Sequence, residues 1–206
     1  RLPLYAADEH LGIYVRRAFE RVAAHHERGV AHDGDAPPRV LIEASLGLGK
    51  THKAVEASVA RIRALRAEGT GRIAIFAAPT HALAAELAER LRTEAGDDLL
   101  VQHFRGRQAT DADGGPMCSN LPAINEALGV LAPAENVCRD CPMGPPEGGD
   151  MADAPCRYLR QRRERPDILV IPHHRLTSAP PEWIEKRGID HIVVDESPVG
   201  ALLYGT

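Results

Sequence analysis

An α/β fold, with a parallel sheet flanked by helices and a cysteine-rich segment inserted in it, is predicted by three observations. Short apolar runs rich in β-branched residues alternate with longer stretches of helical periodicity. A glycine-rich loop ending Gly49-Lys50-Thr51 lies between one such run and one such stretch. The alternation then stops between about Gly106 and Pro155, and all four cysteines lie in or beside that turn-rich region.

The elements follow in order. Leu11, Val15, Ala18, Phe19 and Val22 fall at helical spacing, predicting an amphipathic helix to Arg28, with Gly29 as the residue that closes it. His25 and His26 are adjacent, point to different faces of that helix, and are expected in solvent rather than on a shared metal. Residues 31–38 read as a loop leading into a first strand at Arg39-Val40-Leu41-Ile42. A helix follows from Thr51 to Arg66, free of Pro and Gly, then a second strand at Arg72–Ala78. Thr80 is a good N-cap for a helix to about Glu94 carrying Leu83, Leu87 and Leu91 on one face, closed by Gly96. Further strands are predicted at Leu99–Phe104, Asp167–Ile171 and Ile189–Val194, with a basic helix at Cys156–Arg165 and a short helix near Pro181–Arg187. Strands separated by helices of this length imply parallel pairing.

Composition narrows the function classes. At 206 residues the chain can bury about 70% of its unfolded surface without staples. A net charge of −4 argues against uniform coating of nucleic acid and restricts any such surface to a patch. No apolar run approaches the roughly 20 residues of a membrane span, and no signal-peptide pattern opens the chain, so a cytoplasmic location without membrane partners is expected. Arg1 in place of Met, and an end at Tyr204-Gly205-Thr206 soon after an apolar strand, give the expectation of a piece of a longer protein.

The loop Ala44-Ser45-Leu46-Gly47-Leu48-Gly49-Lys50-Thr51 reads as a phosphate-binding loop. Gly47 and Gly49 let successive N–H groups and the next helix N-terminus face a polyphosphate. Lys50 is expected to reach the β and γ phosphates of ATP, and the Thr51 hydroxyl to ligate Mg2+. Val193-Val194-Asp195-Glu196 sets two carboxylates at the carboxyl end of a strand read as buried, the edge where parallel sheets bind ligands. Asp195 is assigned to magnesium, and Glu196 to orienting and deprotonating the attacking water.

Cys118, Cys138, Cys141 and Cys156, separated by nineteen, two and fourteen residues, predict a four-thiolate site suited to structural zinc or an iron-sulfur cluster; ligand type alone does not separate the two. In a segment this poor in apolar residues, the metal supplies folding energy that a core cannot. Arg157, Arg160, Arg162, Arg163 and Arg165 are opposed only by Glu164, and read either as a phosphate-backbone contact or as a solvated arginine face. Tyr158 is a candidate to stack on a base.

Taken in order, Ile42-Glu43-Ala44 with Gly47 and Gly49-Lys50-Thr51, Ala78-Pro79-Thr80, the four cysteines, Ile171-Pro172-His173-His174 and Val194-Asp195-Glu196 resemble the iron-sulfur DNA helicases of superfamily 2, the XPD/DinG type. The likeness spans about Val40 to Pro198. It implies a RecA-like P-loop NTPase motor domain made of residues 1–105 and 157–206, with a [4Fe-4S] cluster domain inserted at 106–156. It further implies ATP-driven movement on single-stranded or forked DNA with 5′-to-3′ polarity, with Lys50, Asp195 and Glu196 catalytic and the four cysteines ligating the cluster. Pro79, Thr80, Arg157, Arg160 and Arg163 would lie along the DNA path. The chain departs from the family at Leu46 and Leu48, where Thr is usual, and at Ser197-Pro198, where Ala-His usually couples nucleotide state to a second motor domain. That second RecA-like domain, with its arginine fingers, is a partner the chain lacks, so ATP binding by the chain alone is expected to be weak and hydrolysis very slow. Two alternatives are a zinc-containing nucleic-acid-remodelling ATPase and a non-catalytic zinc-containing DNA-binding module.

Overall fold

The structure is a computed structural model, and it describes residues 4–28, 36–43, 49–111, 113–149, 153–177 and 182–196. The chain divides into two compact units, Arg1–Val101 with Pro166–Thr206, and Gln102–Arg165.

The first unit opens with α1 (Leu4–Glu27), which begins earlier than its periodicity indicated because no Gly or Pro interrupts Leu4 to Leu11. Leu11 and Val15 are its buried anchors. Next come α2 (Lys50–Ala67), β1 (Ile73–Ala78) and α3 (His81–Ala95). The chain continues with β2 (Val101–His103), then β3 (Ile168–Pro172), a 3-10 turn (His173–Thr177), α7 (Glu182–Arg187) and β4 (Ile189–Val194), numbered after three helices of the other unit.

The sheet order is β2-β3-β1-β4, with β1 parallel to both β3 and β4. This is an α/β fold with a four-stranded parallel sheet flanked by helices. β1 and β3 are buried along their whole length, as continuous apolar runs covered on both faces must be. Phe76, Ile168 and Val170 meet Val55, Val59 and Ile62 of α2 and a stripe on α3 in one core. The α3 stripe is Ala84, Leu87, Ala88, Leu91 and Ala95; Leu83 is 42% exposed, so the expected Leu83-Leu87-Leu91 face is rotated toward the alanines, whose small side chains allow close packing.

Two expectations fail here. Residues 36–43 contain no strand: Val40 and Leu41 are exposed, Leu41 by 83%, and among the described residues no strand pairs with this run, so its apolar residues have no ladder to join. β4 lies at the sheet edge and is only half buried, with Ile192 and Val194 facing out, so the acidic pair does not follow a buried strand.

The second unit holds α4 (Leu121–Gly129), α5 (Ala134–Asp140) and α6 (Arg157–Arg160). The basic helix expected to Arg165 is a single turn, followed by turn residues. Among the described residues no helix is long and apolar enough to cross a membrane.

Candidate functional site

Parallel pairing brings the carboxyl ends of β1, β3 and β4 to one edge, where Pro79-Thr80, His173-His174 and Asp195-Glu196 emerge. The N-terminus of α2 reaches the same edge. Gly49 precedes it with φ of 70°, a left-handed conformation that a β-carbon would strain. The Thr51 hydroxyl donates to both carboxylate oxygens of Asp195, at 3.1 and 3.2 Å, across 144 residues of sequence. Ala44 to Leu48 of the expected loop lie outside the described residues, as does Ser197-Pro198.

Asp195 is held at three points. Its side chain accepts from Thr51, its N–H donates to the Ala77 carbonyl at 2.9 Å, and its carbonyl accepts from His173 Nε2 at 3.0 Å. The carboxylate is thereby aimed at the start of α2. Glu196, one residue on, is exposed and has φ of 64°, a turn that carries its side chain out of the strand's line. Magnesium fits this edge: a hydroxyl and a carboxylate already converge at the amino end of a helix, beside Lys50.

His81 and His174 meet edge to face with centroids 5.7 Å apart, and burial followed by the charge of Arg175 lowers the His174 pKa. Sequence reasoning assigned no role to His81 or His173. His173 directly after one buried apolar strand, and His81 three residues after the end of another, were the available signal. Thr80 is exposed and its hydroxyl accepts from the Leu83 N–H at 3.2 Å, capping α3 as expected of it.

The four cysteines belong to the second unit and line one small pocket with Ile124 and Leu159. All four are free thiols; Cys118, Cys138 and Cys156 are buried and Cys141 partly so. Cys138 sits in the last turn of α5 and Cys141 directly after that helix. The chain then doubles back, with the Gly144 N–H donating to the Cys141 carbonyl at 2.7 Å. A β-carbon on Gly144 would stand 2.2 Å from the Cys138 carbonyl oxygen, so only glycine permits this turn. Met117 joins the remaining pieces: its carbonyl accepts from the Tyr158 N–H at 2.9 Å and from Cys156 Sγ at 3.7 Å. Burial raises the Cys138 pKa, the neighbouring Arg107 opposes that through charge and a hydrogen bond, and Cys118 and Cys156 add to the rise. Among the described residues no three Cys, His, Asp or Glu side chains converge on a point as a metal-holding group.

No family model, curated protein or solved structure matches the chain.

The arginine patch differs from its sequence reading. Arg157 pairs with Asp111, and Arg163 with Asp153 at 3.0 Å, so two of the three arginines assigned to DNA already have carboxylate partners. Arg160 is exposed. Tyr158 is 4% exposed, packed edge-on to Phe104 and beneath the Arg107 guanidinium at 4.3 Å, so it does not present a face to a base. His26 also departs from its reading: its Nε2 donates to the Asp190 carbonyl at 2.8 Å instead of facing solvent.

Proposed function

We propose that this chain is the first motor domain of an ATP-dependent DNA helicase of the iron-sulfur type, a RecA-like P-loop unit carrying a cluster-bearing insertion. The observation that carries the reading is the contact of Thr51 with Asp195, residues of two separate motifs that share one ion in phosphate-loop ATPases. Lys50 binds the terminal phosphates, Thr51 and Asp195 flank the metal position, and Glu196 orients the attacking water. Magnesium, when bound, neutralises charge on the β and γ phosphates. Asp195, restrained at three points, has little freedom to lose on binding. In this reading a second RecA-like domain supplies arginine fingers to the site, and residues 1–206 by themselves bind ATP weakly and turn it over very slowly.

The choice of a cluster over a single zinc ion rests on the resemblance in motif order. Single-stranded DNA as the track, the 5′-to-3′ direction and the arginine contacts rest on the resemblance in motif order.

The test is iron, sulfide, zinc and ATP binding on protein purified without oxygen, beside Cys138→Ser and Lys50→Ala. The expected result is about four irons and four sulfides per chain, with brown absorption lost in Cys138→Ser. Magnesium-dependent ATP binding should be lost in Lys50→Ala. About one zinc in colourless protein after anaerobic reconstitution moves the assignment to the zinc ATPase. ATP binding indifferent to Lys50→Ala removes the motor reading altogether.

A further inference from the structure

A buried polar chain joins α2 to β4 well behind the nucleotide edge. The Ser58 hydroxyl and His191 Nε2 share a hydrogen bond of 2.7 Å, and His191 Nδ1 donates to Asp190 Oδ2 at 2.8 Å. The carboxylate can only accept, so His191 Nδ1 carries a proton. Arg61, three residues beyond Ser58 on α2, donates through Nε and Nη2 to the two Asp190 oxygens at 3.3 and 3.0 Å. From α1, His26 holds the Asp190 carbonyl and Phe19 packs edge-on to the His191 ring, centroids 4.8 Å apart. The order of groups resembles a hydrolytic Ser-His-Asp set, yet Ser58 is 0% exposed and no substrate reaches it.

What these residues share with the nucleotide edge is their elements. Thr51 and Ser58 are two turns apart on one face of α2, and His191 and Asp195 lie four positions apart, on one side of the β4 line. Seven helical residues advance about 10.5 Å and four strand residues about 13 Å, so with α2 running against β4 both pairs close together. Core packing through Val55, Val59 and Ile62 holds α2 on the sheet, and the two polar ties set its tilt and axial register against β4.

We infer that Ser58, His191, Asp190 and Arg61 are positioning residues that hold Thr51 against Asp195 and so set magnesium affinity at the nucleotide site. The inference rests on the motor reading. Its effect belongs to metal-bound nucleotide, because Thr51 and Asp195 are the groups whose spacing it controls, while Lys50 and the loop can hold phosphate without them.

The experiment measures ATP affinity of the full chain in Mg2+ and in EDTA, for the parent, Ser58→Ala, Thr51→Ala and the double variant, with far-ultraviolet circular dichroism confirming folding. Ser58→Ala should reduce the advantage that Mg2+ confers by about tenfold, the usual scale for residues that orient metal ligands, while affinity in EDTA changes less than about twofold. In the Thr51→Ala background Ser58→Ala should have no further effect on that advantage. Arg61→Gln, at the partly exposed end of the chain of contacts, should show a smaller loss of the same kind and decides the question should Ser58→Ala not fold. Equal losses with and without Mg2+, or an unchanged Mg2+ advantage in a parent whose binding depends on Lys50, overturn the inference alone. A parent whose ATP binding ignores both Mg2+ and Lys50→Ala overturns the motor reading, and this inference with it.

Discussion

Gly144 stands where the chain doubles back against the end of α5 and Cys141, and nothing larger fits. A β-carbon there meets backbone carbonyls of both Cys138 and Cys141, at 2.2 and 2.8 Å, and backbone cannot rotate aside as a side-chain tip can. Gly144→Ala should therefore open the turn, part the two sulfurs and weaken metal retention by at least about tenfold, read as iron or zinc per chain after dialysis against a chelator. Gly129→Ala, whose β-carbon meets nothing within 4 Å, is the matched control expected to retain metal.

At the scale of elements, helix ends and strand edges decide more than propensity does. α3 is the best-defined helix by its own signals: Thr80 caps it, Gly96 ends it with φ of 60°, and its buried stripe repeats every three or four residues. Thr80→Ala should lower unfolding free energy by about 1 kcal/mol, measured by urea denaturation, through loss of the hydroxyl that satisfies the Leu83 N–H. Thr80→Ser keeps an acceptor and should recover most of it. α6 fails to extend because Tyr158 and Leu159 are drawn into the interior while the following arginines face outward, a pattern one helical turn can satisfy and three cannot. The run 39–42 illustrates the converse, since β-branched residues favour a strand only where a neighbour pairs with them.

For the molecule as a whole, acid stability should depend on Asp190. Burial alone would raise its pKa, but hydrogen bonds from His191 and Arg61, with their charges, overcome that and hold it at about 2, below its ordinary 3.8. A carboxyl depressed in the folded state binds its proton more readily when unfolded. Its contribution is thus complete above about pH 4 and is lost as pH falls through about 2, amounting to about 2 kcal/mol. Unfolding followed between those pH values should show a steeper loss in the parent than in Asp190→Asn. An equal slope in both would show that the carboxylate is not depressed.

The sequence by itself determined the α/β class, the positions of β1, α3, β3 and β4, and the two residues, Thr51 and Asp195, that meet at the sheet edge. These are local matters: apolar runs, caps and glycines act over a few residues, and a Gly-Lys-Thr triplet before a helix declares itself. Tertiary structure alone decided that, among the described residues, the run 39–42 has no partner strand and β4 is an edge, and that Tyr158 is buried under Arg107. It also decided that Ser58, His191 and Asp190 form one chain. Ser58 and His191 are 133 residues apart and each looks ordinary in its own neighbourhood. Pairing, edge and burial are properties of what lies across from a residue, and that partner is set by how the whole chain packs.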